Sequence, residues 1–301
     1  MSVSLMIESW NLGEDLAKVE RGLWDLADRL APQVAAADAE VAITHRGLGD
    51  RARRSIERTL ERPITWVALP DKAGYYEHKN RGFDATTGEI VAFLDGDCAP
   101  SQTWLASLIG PITRGEAKVA AGMTSYPGEL AALANQIDFP YFERGPGRVR
   151  NFFANNVAFA RDVFAPRRYP TIEPMFHGQC QVLGLQLLVE HIAIQFAADA
   201  RVTHAWPEDL AEWLEVRLLK GADTVSLLPY VVATYAPAAL PIARRLGRLG
   251  ALAIFGLRAV TGTWAALRHG PRLKGLGLVA AVTVLDAIGA AAAPAVYRRI
   301  G

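Results

Sequence analysis

The sequence predicts an α/β domain, built on a mixed, mostly parallel sheet with flanking helices and followed by C-terminal apolar helices. Short apolar runs of strand length alternate with segments whose apolar residues recur at helical spacing. This order is typical of βαβ units, in which helices cover both faces of the sheet. Of the 301 residues, 51% are apolar and 21% are charged, so the chain has enough apolar residues for a large core.

The first elements are a strand and an amphipathic helix. The apolar run of SVSLMIESWN predicts a strand that leads to Asn11. The apolar residues of the helix recur at helical spacing: Leu16, Val19, Leu23, Leu26 and Leu30. A second strand at residues 41–44, a basic helix at residues 50–60 and a third strand at residues 64–69 are expected next.

The fourth strand is the most informative element, because it ends in two aspartates one residue apart. The segment NRGFDATTGEIVAFLDGDCAP contains this strand at residues 90–94, followed by Asp95 and Asp97. In α/β domains the ligand site lies beyond the carboxyl ends of the strands. Carboxylates there suit a hard divalent cation, although aspartates after strands are also common turn residues. The triplet alone therefore leaves both interpretations open.

With its neighbours, the triplet resembles the core signature of the family-2 glycosyltransferases, which have the GT-A fold. A helix of small residues that begins near Lys79 precedes the strand, and Pro100 and Trp104 open the next helix. The resemblance covers residues 1–225 and implies a catalytic domain there, with residues 226–301 as a membrane-associated segment. It also implies sugar transfer from a nucleotide-diphosphate donor to a lipid-linked or glycan acceptor, with anomeric inversion and with Mn²⁺ or Mg²⁺ as cofactor.

The resemblance assigns roles to the residues of the triplet and to Lys79. It implies that Asp95 contacts the ribose or the water shell of the metal, and that Asp97 coordinates the metal during catalysis. Gly96 lies between them in the same nucleotide-sugar site. Lys79 corresponds to a contact with the base or a phosphate, and a solvated helix lysine is the alternative.

Three further residues have roles that the resemblance implies. Glu8 and Asn11 end the first strand, where the nucleotide base would bind, or they form a loop-capping pair. His204, in the segment IAIQFAADARVTHAWPEDL, matches a histidine that reaches the metal in several relatives. A neutral imidazole is a competent ligand, and a structural hydrogen bond is the alternative. Arg217 on the following helix could reach a phosphate, but we expect a solvated helix arginine.

The position of the expected acidic base is occupied by other residues. Relatives usually have an acidic pair in the segment that here reads HGQCQVLGLQL, but this chain has Gln179 and Cys180. A thiol with its ordinary pKa of about 8.5 is a mediocre base. The base could then be Cys180, Glu173 or His177, or the acceptor could already carry a charge, as a lipid phosphate does. The alternative is a non-catalytic nucleotide-sugar-binding partner subunit at the membrane.

Two other segments resemble acceptor-side parts of the family. Asn155 and Asn156 could hydrogen-bond sugar hydroxyls, and residues 139–147 are expected to form a mobile loop near the acceptor or to pack their aromatic rings. A nucleotidyltransferase on a similar fold is a third interpretation. It lacks support, because no glycine-rich phosphate loop follows the first strand.

The C-terminal segment is apolar and basic. Pro229, Pro237 and Pro241 are expected to break a regular spanning helix, and two apolar stretches follow at residues 249–267 and 275–297. Each has about the 20 residues that a bilayer core requires. From residue 240 onward the chain has nine basic residues and one acid, while the whole chain carries a net charge of +1. Such a segment suits an anionic membrane surface.

Three arrangements of this segment stay open: a spanning hairpin, an interfacial helix and a soluble helical pair. Arg244, Arg248 and Arg258 would share one side of a helix, which favours the interfacial arrangement. Arg258 and Asp286 could also pair between two helices. With two cysteines and no recognisable cleavable signal sequence, we expect a catalytic domain at the cytoplasmic face of the membrane, with no nucleic-acid partner.

Overall fold

The computed structural model describes residues 1–138, 147–207, 209–269 and 272–300. These residues form two compact units. The first unit comprises residues 1–125, 147–170 and 190–205, and the second comprises the other described residues. Except for Gly147, the expected acceptor-side loop lies outside the described residues.

The first unit contains the sheet. Its strands are β1 (Val3–Glu8), β2 (Glu40–His45), β3 (Ile64–Ala68), β4 (Ile90–Asp95), β5 (Cys98–Pro100), β6 (Val119–Ser125), β7 (Arg148–Val149), β8 (Asn156–Ala160) and β9 (Ile194–His204). Its helices are a 3₁₀ turn (Trp10–Leu12), α1 (Leu16–Ala37), α2 (Asp50–Leu60), α3 (Tyr75–Asp84), α4 (Trp104–Thr113) and α6 (Arg161–Phe164).

The sheet is mixed, as predicted. Its described strands follow the order β3-β2-β1-β4-β8-β6-β9-β5, and β7 pairs with β9. The ladders among β1, β2, β3 and β4 are parallel, and β6 is parallel to β9. Strand β8 runs antiparallel to both β4 and β6. The carboxyl ends of β1 and β4 therefore lie side by side at one edge of the sheet, in the register Glu8 to Asp95.

Local sequence explains why these elements form where they do. Asp15 caps α1, since its carboxylate accepts hydrogen bonds from the backbone N–H groups of Ala17 and Lys18. The predicted apolar face of α1 is buried except at its first residue, Leu16, which is 48% exposed. All six residues of β4 are buried, which explains its unbroken apolar run before Asp95. Helix α3 lies earlier than expected and ends at Asp84.

The second unit is helical. Its helices are α5 (Glu129–Asp138), α7 (Gln179–Val189), α8 (Leu210–Tyr235), a 3₁₀ turn (Pro237–Ala239), α9 (Leu240–Leu246), α10 (Arg248–His269), α11 (Arg272–Ala291) and α12 (Ala293–Ile300). Helix α8 continues through the expected domain boundary at residue 225. Among the described residues, Arg248–Arg268 and Arg272–Ala291 have the length and composition that would allow them to cross a membrane.

Two expectations for this region are wrong. Pro229 lies inside α8 and does not end it. The adjacent Leu227 and Leu228 are each 6% exposed, so packing holds the helix despite the missing hydrogen bond. Arg244, Arg248 and Arg258 also do not share one helix, because Gly247 separates α9 from α10 at a φ of 48°. Glycine adopts this left-handed conformation without steric cost.

A buried ion network joins four helices of this unit. Arg217, which was expected to be solvated, is 2% exposed, because it contacts Asp138 at 2.8 Å and Asp286 at 2.6 Å. Lys220 lies 2.5 Å from Asp138. Arg258 lies 3.2 Å from Asp286, which confirms the predicted pair between the two apolar helices. Buried charges need such partners, since an unpaired ion in the interior is costly.

Helices α8 and α11 cross in close backbone contact. A Cβ atom on Gly221 would overlap the carbonyl of Asp286, and one on Gly289 would overlap the carbonyl of Leu218. Only glycine allows the two backbones this approach. The crossing places Asp286 against Arg217, and it therefore explains why an acid within an apolar helix is buried.

Candidate functional site

Asp95 lies at the centre of the candidate site, at the end of β4. Its carboxylate accepts hydrogen bonds from Asn11 Nδ2 at 2.8 Å, from the Tyr75 hydroxyl at 2.8 Å and from Lys79 Nζ at 2.5 Å. The side chains of Asp95 and Lys79 are 1% and 0% exposed. Lys79 is therefore a buried partner of Asp95, and not a solvated helix lysine. Asn11 and Lys79, predicted to contact the nucleotide, both bind Asp95 here.

Glu8 lies beside Asp95 on the neighbouring strand and is wholly buried. Its Oε2 accepts a hydrogen bond from the Trp10 backbone N–H at 2.7 Å, whereas Oε1 has no partner among the described residues. Burial raises the pKa of Glu8 well above its usual value, and the charge of Asp95 adds to this increase. The geometry thus favours a neutral Glu8 carboxyl group.

Gly96 allows the chain to turn between the two aspartates. Its N–H donates a hydrogen bond to the Glu8 carbonyl at 2.8 Å. A Cβ at this position would lie 2.9 Å from that same carbonyl oxygen and 2.8 Å from Leu12 Cδ1. A larger residue would therefore displace the turn that carries Asp97.

Asp97 and His204 are brought together by strand pairing. The turn after β4 leads directly into β5, and Cys98 on β5 pairs with His204 at the end of β9. His204 Nδ1 lies 2.7 Å from the Ala205 carbonyl oxygen, which can only accept, so Nδ1 carries the proton. The other nitrogen, Nε2, lies 3.6 Å from Asp97 Oδ2 and 3.8 Å from Asp95 Oδ2. In the neutral imidazole, Nε2 can act as a metal ligand.

The donor atoms of this cluster fit a divalent cation. Asp97 Oδ1 is buried and has no hydrogen-bond partner within the described part of the chain. Ligand atoms of Asp97, Cys98 and His204 lie within 4.8 Å of one another. Burial raises the pKa of Asp97, and His204 opposes that increase only when its ring is protonated. Burial also raises the pKa of Cys98 well above its usual value, so the thiol stays protonated and an oxygen-preferring ion fits best.

The two asparagines proposed to bind sugar hydroxyls are buried and bind protein groups. Asn156 is fully buried, and its Nδ2 donates hydrogen bonds to the carbonyls of Met123 at 3.1 Å and Ala200 at 2.9 Å. Its Oδ1 accepts a hydrogen bond from the Trp104 indole at 2.9 Å. Asn155 is also buried, and its Oδ1 accepts from a threonine hydroxyl. Asn156 satisfies backbone groups where the ladder between β6 and β9 is irregular, which leaves it no group for a sugar.

The candidates for the general base belong to the second unit. Gln179 is buried at the start of α7, where its Nε2 donates a hydrogen bond to the Met175 carbonyl at 2.9 Å. Cys180 is half-buried on the same helix. Glu173 lines a cavity of about 530 Å³ together with Tyr230 and Arg244. A neutral amide that donates a hydrogen bond to the backbone cannot act as a general base, so Gln179 does not take over the function of the expected acid.

A buried acid that sequence reasoning missed holds the segment before α7. Asp223 accepts hydrogen bonds from the backbone N–H groups of Phe176 at 2.8 Å and His177 at 2.5 Å, and from the Tyr297 hydroxyl at 2.9 Å. Burial raises the pKa of Asp223 to about 6 and lowers the pKa of His177 to about 4. The sequence signal that could have identified Asp223 is the presence of an acid among the apolar residues of α8.

Comparisons of the sequence with known proteins identify related enzymes. Residues 20–168 match the model of the family described as glycosyl transferase family 2. A glucosyl-dolichyl phosphate glucuronosyltransferase from Haloferax volcanii is 28% identical over 104 residues, which cover 31% of this chain and 33% of that protein. The matched segment thus spans a third of the length of this curated relative.

Comparisons of the structure reveal the same fold in solved proteins. A mannosyltransferase from Pyrobaculum calidifontis, in complex with GDP-Man and Mn²⁺, aligns with a TM-score of 0.63 at 16% identity, covering 97% of this chain and 86% of that one. Glucosyl-3-phosphoglycerate synthase from Mycobacterium tuberculosis, in complex with Mn²⁺, UDP and phosphoglyceric acid, aligns with a TM-score of 0.52 at 17% identity, covering 76% and 78%. At these identities the likeness establishes the GT-A fold.

Proposed function

The chain belongs to glycosyl transferase family 2, and from this premise we propose that it transfers a sugar from a nucleotide-diphosphate donor to an acceptor. The observation that carries the proposal is the cluster of Asp97 and His204 beside Asp95, in which a buried carboxylate oxygen of Asp97 has no partner among the described residues. A divalent cation, Mn²⁺ or Mg²⁺, would complete this cluster. The structures to which the fold is similar contain Mn²⁺ with GDP-Man or UDP.

In the proposed reaction, Asp97 and His204 hold the cation. When bound, the cation supplies positive charge that stabilises the diphosphate leaving group. Asp95 has a positioning role, because Lys79, Tyr75 and Asn11 fix its carboxylate at the end of β4. The neutral Glu8 beside it limits the negative charge at this edge of the sheet. Transfer is proposed to invert the anomeric carbon, as the family resemblance implies.

The proposed acceptor is a lipid phosphate. According to its name, the curated relative from Haloferax volcanii acts on a glucosyl-dolichyl phosphate, in which a glucose is already linked to the lipid phosphate. It therefore supports a lipid carrier, whereas the choice of a phosphate oxygen as the attacking group rests on Gln179 at the position of the expected acid. A phosphate oxygen carries negative charge near neutral pH, so it needs no strong base to attack the donor. This acceptor is compatible with Gln179 at the position of the expected acid, because no general base is required. If the acceptor is instead a glycan hydroxyl, the candidates for the general base are Glu173, Cys180 and His177. It also places the reaction at a membrane, where we propose the cytoplasmic face.

The test is donor turnover by the purified full-length chain. UDP-glucose, UDP-glucuronic acid and GDP-mannose are each incubated with Mn²⁺ and a polyprenyl phosphate, and the released nucleoside diphosphate and glycolipid are measured. Asp97→Asn is expected to lower turnover by about 100-fold or more, since a charged group that holds the leaving-group cation is lost. The matched control is Asp162→Asn, which removes an exposed carboxylate that pairs with Lys118. Equal turnover in the Asp97 and Asp162 variants would contradict the proposal.

A second candidate function rests on Gln179, which lies at the position of the family's acid. Its amide donates a hydrogen bond to the Met175 carbonyl and cannot act as a general base. In this alternative the chain binds a nucleotide sugar as a partner subunit at the membrane and does not turn it over. Calorimetry would then detect Mn²⁺-dependent binding of one nucleotide sugar, and Asp97→Asn would abolish this binding. No donor would release nucleoside diphosphate with any acceptor. Any Asp97-dependent release of nucleoside diphosphate excludes this alternative.

A further inference from the structure

Helix α10 presents an apolar face to the outside of its unit. Between Arg248 and Arg268, the exposed residues of α10 are all apolar. The large ones are Leu249, Leu252, Leu257, Val260, Trp264 and Leu267. Val260 is 69% exposed and Trp264 is 55% exposed. The exposed face of a surface helix in a soluble protein is normally polar, so this face is suited to contact something other than water.

Helix α11 repeats this arrangement. Its exposed large apolar residues are Leu273, Leu276, Val284 and Ile288. Its acid, Asp286, points inward, where it is 1% exposed and binds Arg217 and Arg258. The charges in the middle of both helices thus face the interior of the unit, while the apolar side chains face outward. This distribution is the reverse of that in a water-exposed helical pair.

The inward faces of the two helices are fully occupied by protein. Helices α10 and α11 run antiparallel, since Arg248 at the start of α10 donates to the Ala291 carbonyl at the end of α11. Ile137 of α5, Ala266 of α10 and Val279 of α11 belong to one buried cluster. The pair therefore forms a layer that rests on α5 and α8 and offers only one face to a partner.

Basic residues surround this outward face at its ends. Arg248, Arg268, Arg272 and Lys274 are exposed at the termini of the two helices. The Arg268 guanidinium lies 4.3 Å from the centre of the Trp264 ring. Tryptophan and arginine at the edge of an apolar face are typical of a membrane interface, and anionic lipid headgroups complement the four positive charges.

We propose that the outward face of α10 and α11 is immersed in one leaflet of an anionic bilayer, with both helices lying in the membrane plane. A spanning hairpin is disfavoured, because Asp286 lies within α11 and binds both Arg258 of α10 and Arg217 of α8. Crossing the bilayer would break that network or draw it toward the midplane, which is costly. A second copy in the same place would bring like basic ends together. The inference does not rest on the proposed sugar transfer.

The experiment is flotation of the purified full-length chain with vesicles of phosphatidylcholine and phosphatidylglycerol. Wild-type protein is expected to float with the vesicles and to stay bound in 1 M NaCl, a test concentration at which surface charge is screened within about 3 Å. Val260→Glu is expected to lower the partition coefficient by about tenfold or more, since it places a charge in hydrocarbon. The control is Val189→Glu on α7, because that valine is also exposed, at 60%. It should bind like the wild type.

Depth and orientation are measured on the same vesicles. Lipids brominated on their acyl chains should quench tryptophan fluorescence in the wild type but less in Trp264→Phe. External trypsin should cleave after Lys274, because an in-plane layer keeps this exposed residue near the start of α11 on the outer side. Protection from trypsin that detergent removes would indicate a spanning hairpin and overturn the proposal. Binding that 1 M NaCl releases, or a dimer that Val260→Glu dissociates without any vesicle binding, would overturn it as well.

Discussion

Lys79 Nζ lies 2.5 Å from Asp95 Oδ1, and both side chains are excluded from solvent. The ammonium group is therefore the counter-ion of the first aspartate of the triplet. Tyr75 lies one helical turn before Lys79 on α3 and donates to the same carboxylate. Together they fix the position of the Asp95 carboxylate at the sheet edge. The pair links the geometry of the candidate site to the stability of the first unit.

Replacing Lys79 is expected to destabilise the first unit. Lys79→Met leaves the Asp95 carboxylate buried without a cation, which should lower the free energy of unfolding by about 3–5 kcal/mol. The control is Lys118→Met, whose lysine pairs with Asp162 at the surface. It should cost about 1 kcal/mol or less. Urea unfolding followed by circular dichroism measures both. Adding Asp95→Asn to Lys79→Met should recover part of the loss, and an additive double variant would contradict the pairing.

The raised pKa of Glu8 predicts a specific pH dependence. The native state binds this proton more tightly than the unfolded chain, whose glutamates titrate near 4.5. Glu8 thus contributes stability that is fully present below this pH and is lost as the pH rises through the native pKa. Glu8→Gln imitates the neutral carboxyl group. As the pH rises through the native pKa of Glu8, the free energy of unfolding of this variant should therefore fall less than that of the wild type. Unfolding curves at a series of pH values test this, and parallel profiles would contradict it.

His204 is expected to contribute to cation affinity. His204→Gln removes the Nε2 lone pair next to Asp97 and should weaken Mn²⁺ binding by about tenfold, measured by calorimetry with nucleoside diphosphate present. His191→Gln is the control, because His191 is an exposed histidine of the same unit. Affinity should also fall on acidification at a pH above the usual aspartate value of 3.8, since burial raises the pKa of Asp97. Unchanged affinity in His204→Gln would remove this residue from the site.

The ion network predicts acid sensitivity of the second unit. Burial alone would raise the pKa of Asp138, but the charges of Arg217 and Lys220 outweigh it and hold this pKa well below its usual range. Asp138 therefore contributes stability above the unfolded pKa of about 3.9, and this contribution is lost as the pH falls through the native value. Asp138→Asn should be less stable at neutral pH, and this difference should shrink below about pH 4. Thermal unfolding at several pH values measures it, and a constant difference would contradict it.

The crossing of α8 and α11 predicts opposite effects of two identical substitutions. Gly289→Ala places a methyl group against the Leu218 carbonyl and should cost about 1–3 kcal/mol. Gly277→Ala lies on the exposed side of the same helix, where a Cβ meets no atom within 4 Å. It should stabilise the helix by about 0.5–1 kcal/mol. Chemical denaturation measures both variants. Equal changes would show that the close approach does not constrain α11.

Much of the first unit could be predicted because its elements are local. The helix at Asp50–Leu60 was predicted with its observed bounds, and β4 was predicted one residue short of Asp95. Periodic apolar residues and turn residues are read directly from the sequence. The pairing of Arg258 with Asp286 was also predicted, since two opposite charges in apolar helices need partners.

The remaining site residues depend on contacts that local patterns do not contain. Cys98 enters the cluster through its pairing with His204, which is distant in sequence. Arg217 was expected to be solvated because no acid lies one turn before it, yet its partners come from α5 and α11. Asn156 resembled a sugar ligand but satisfies backbone groups of other strands. Long-range packing decides the role of each of these residues.

The network around Arg217 has a consequence for the behaviour of the protein on heating. Removing an ion from water costs less as temperature rises, because hydration of charges is entropically unfavourable. The attraction among Arg217, Asp138 and Asp286 at their short separations is largely retained. The contribution of these ions to the stability of the helical unit should thus increase with temperature. Apolar side chains in place of the ions could leave the stability unchanged at low temperature and still lower it near the melting temperature.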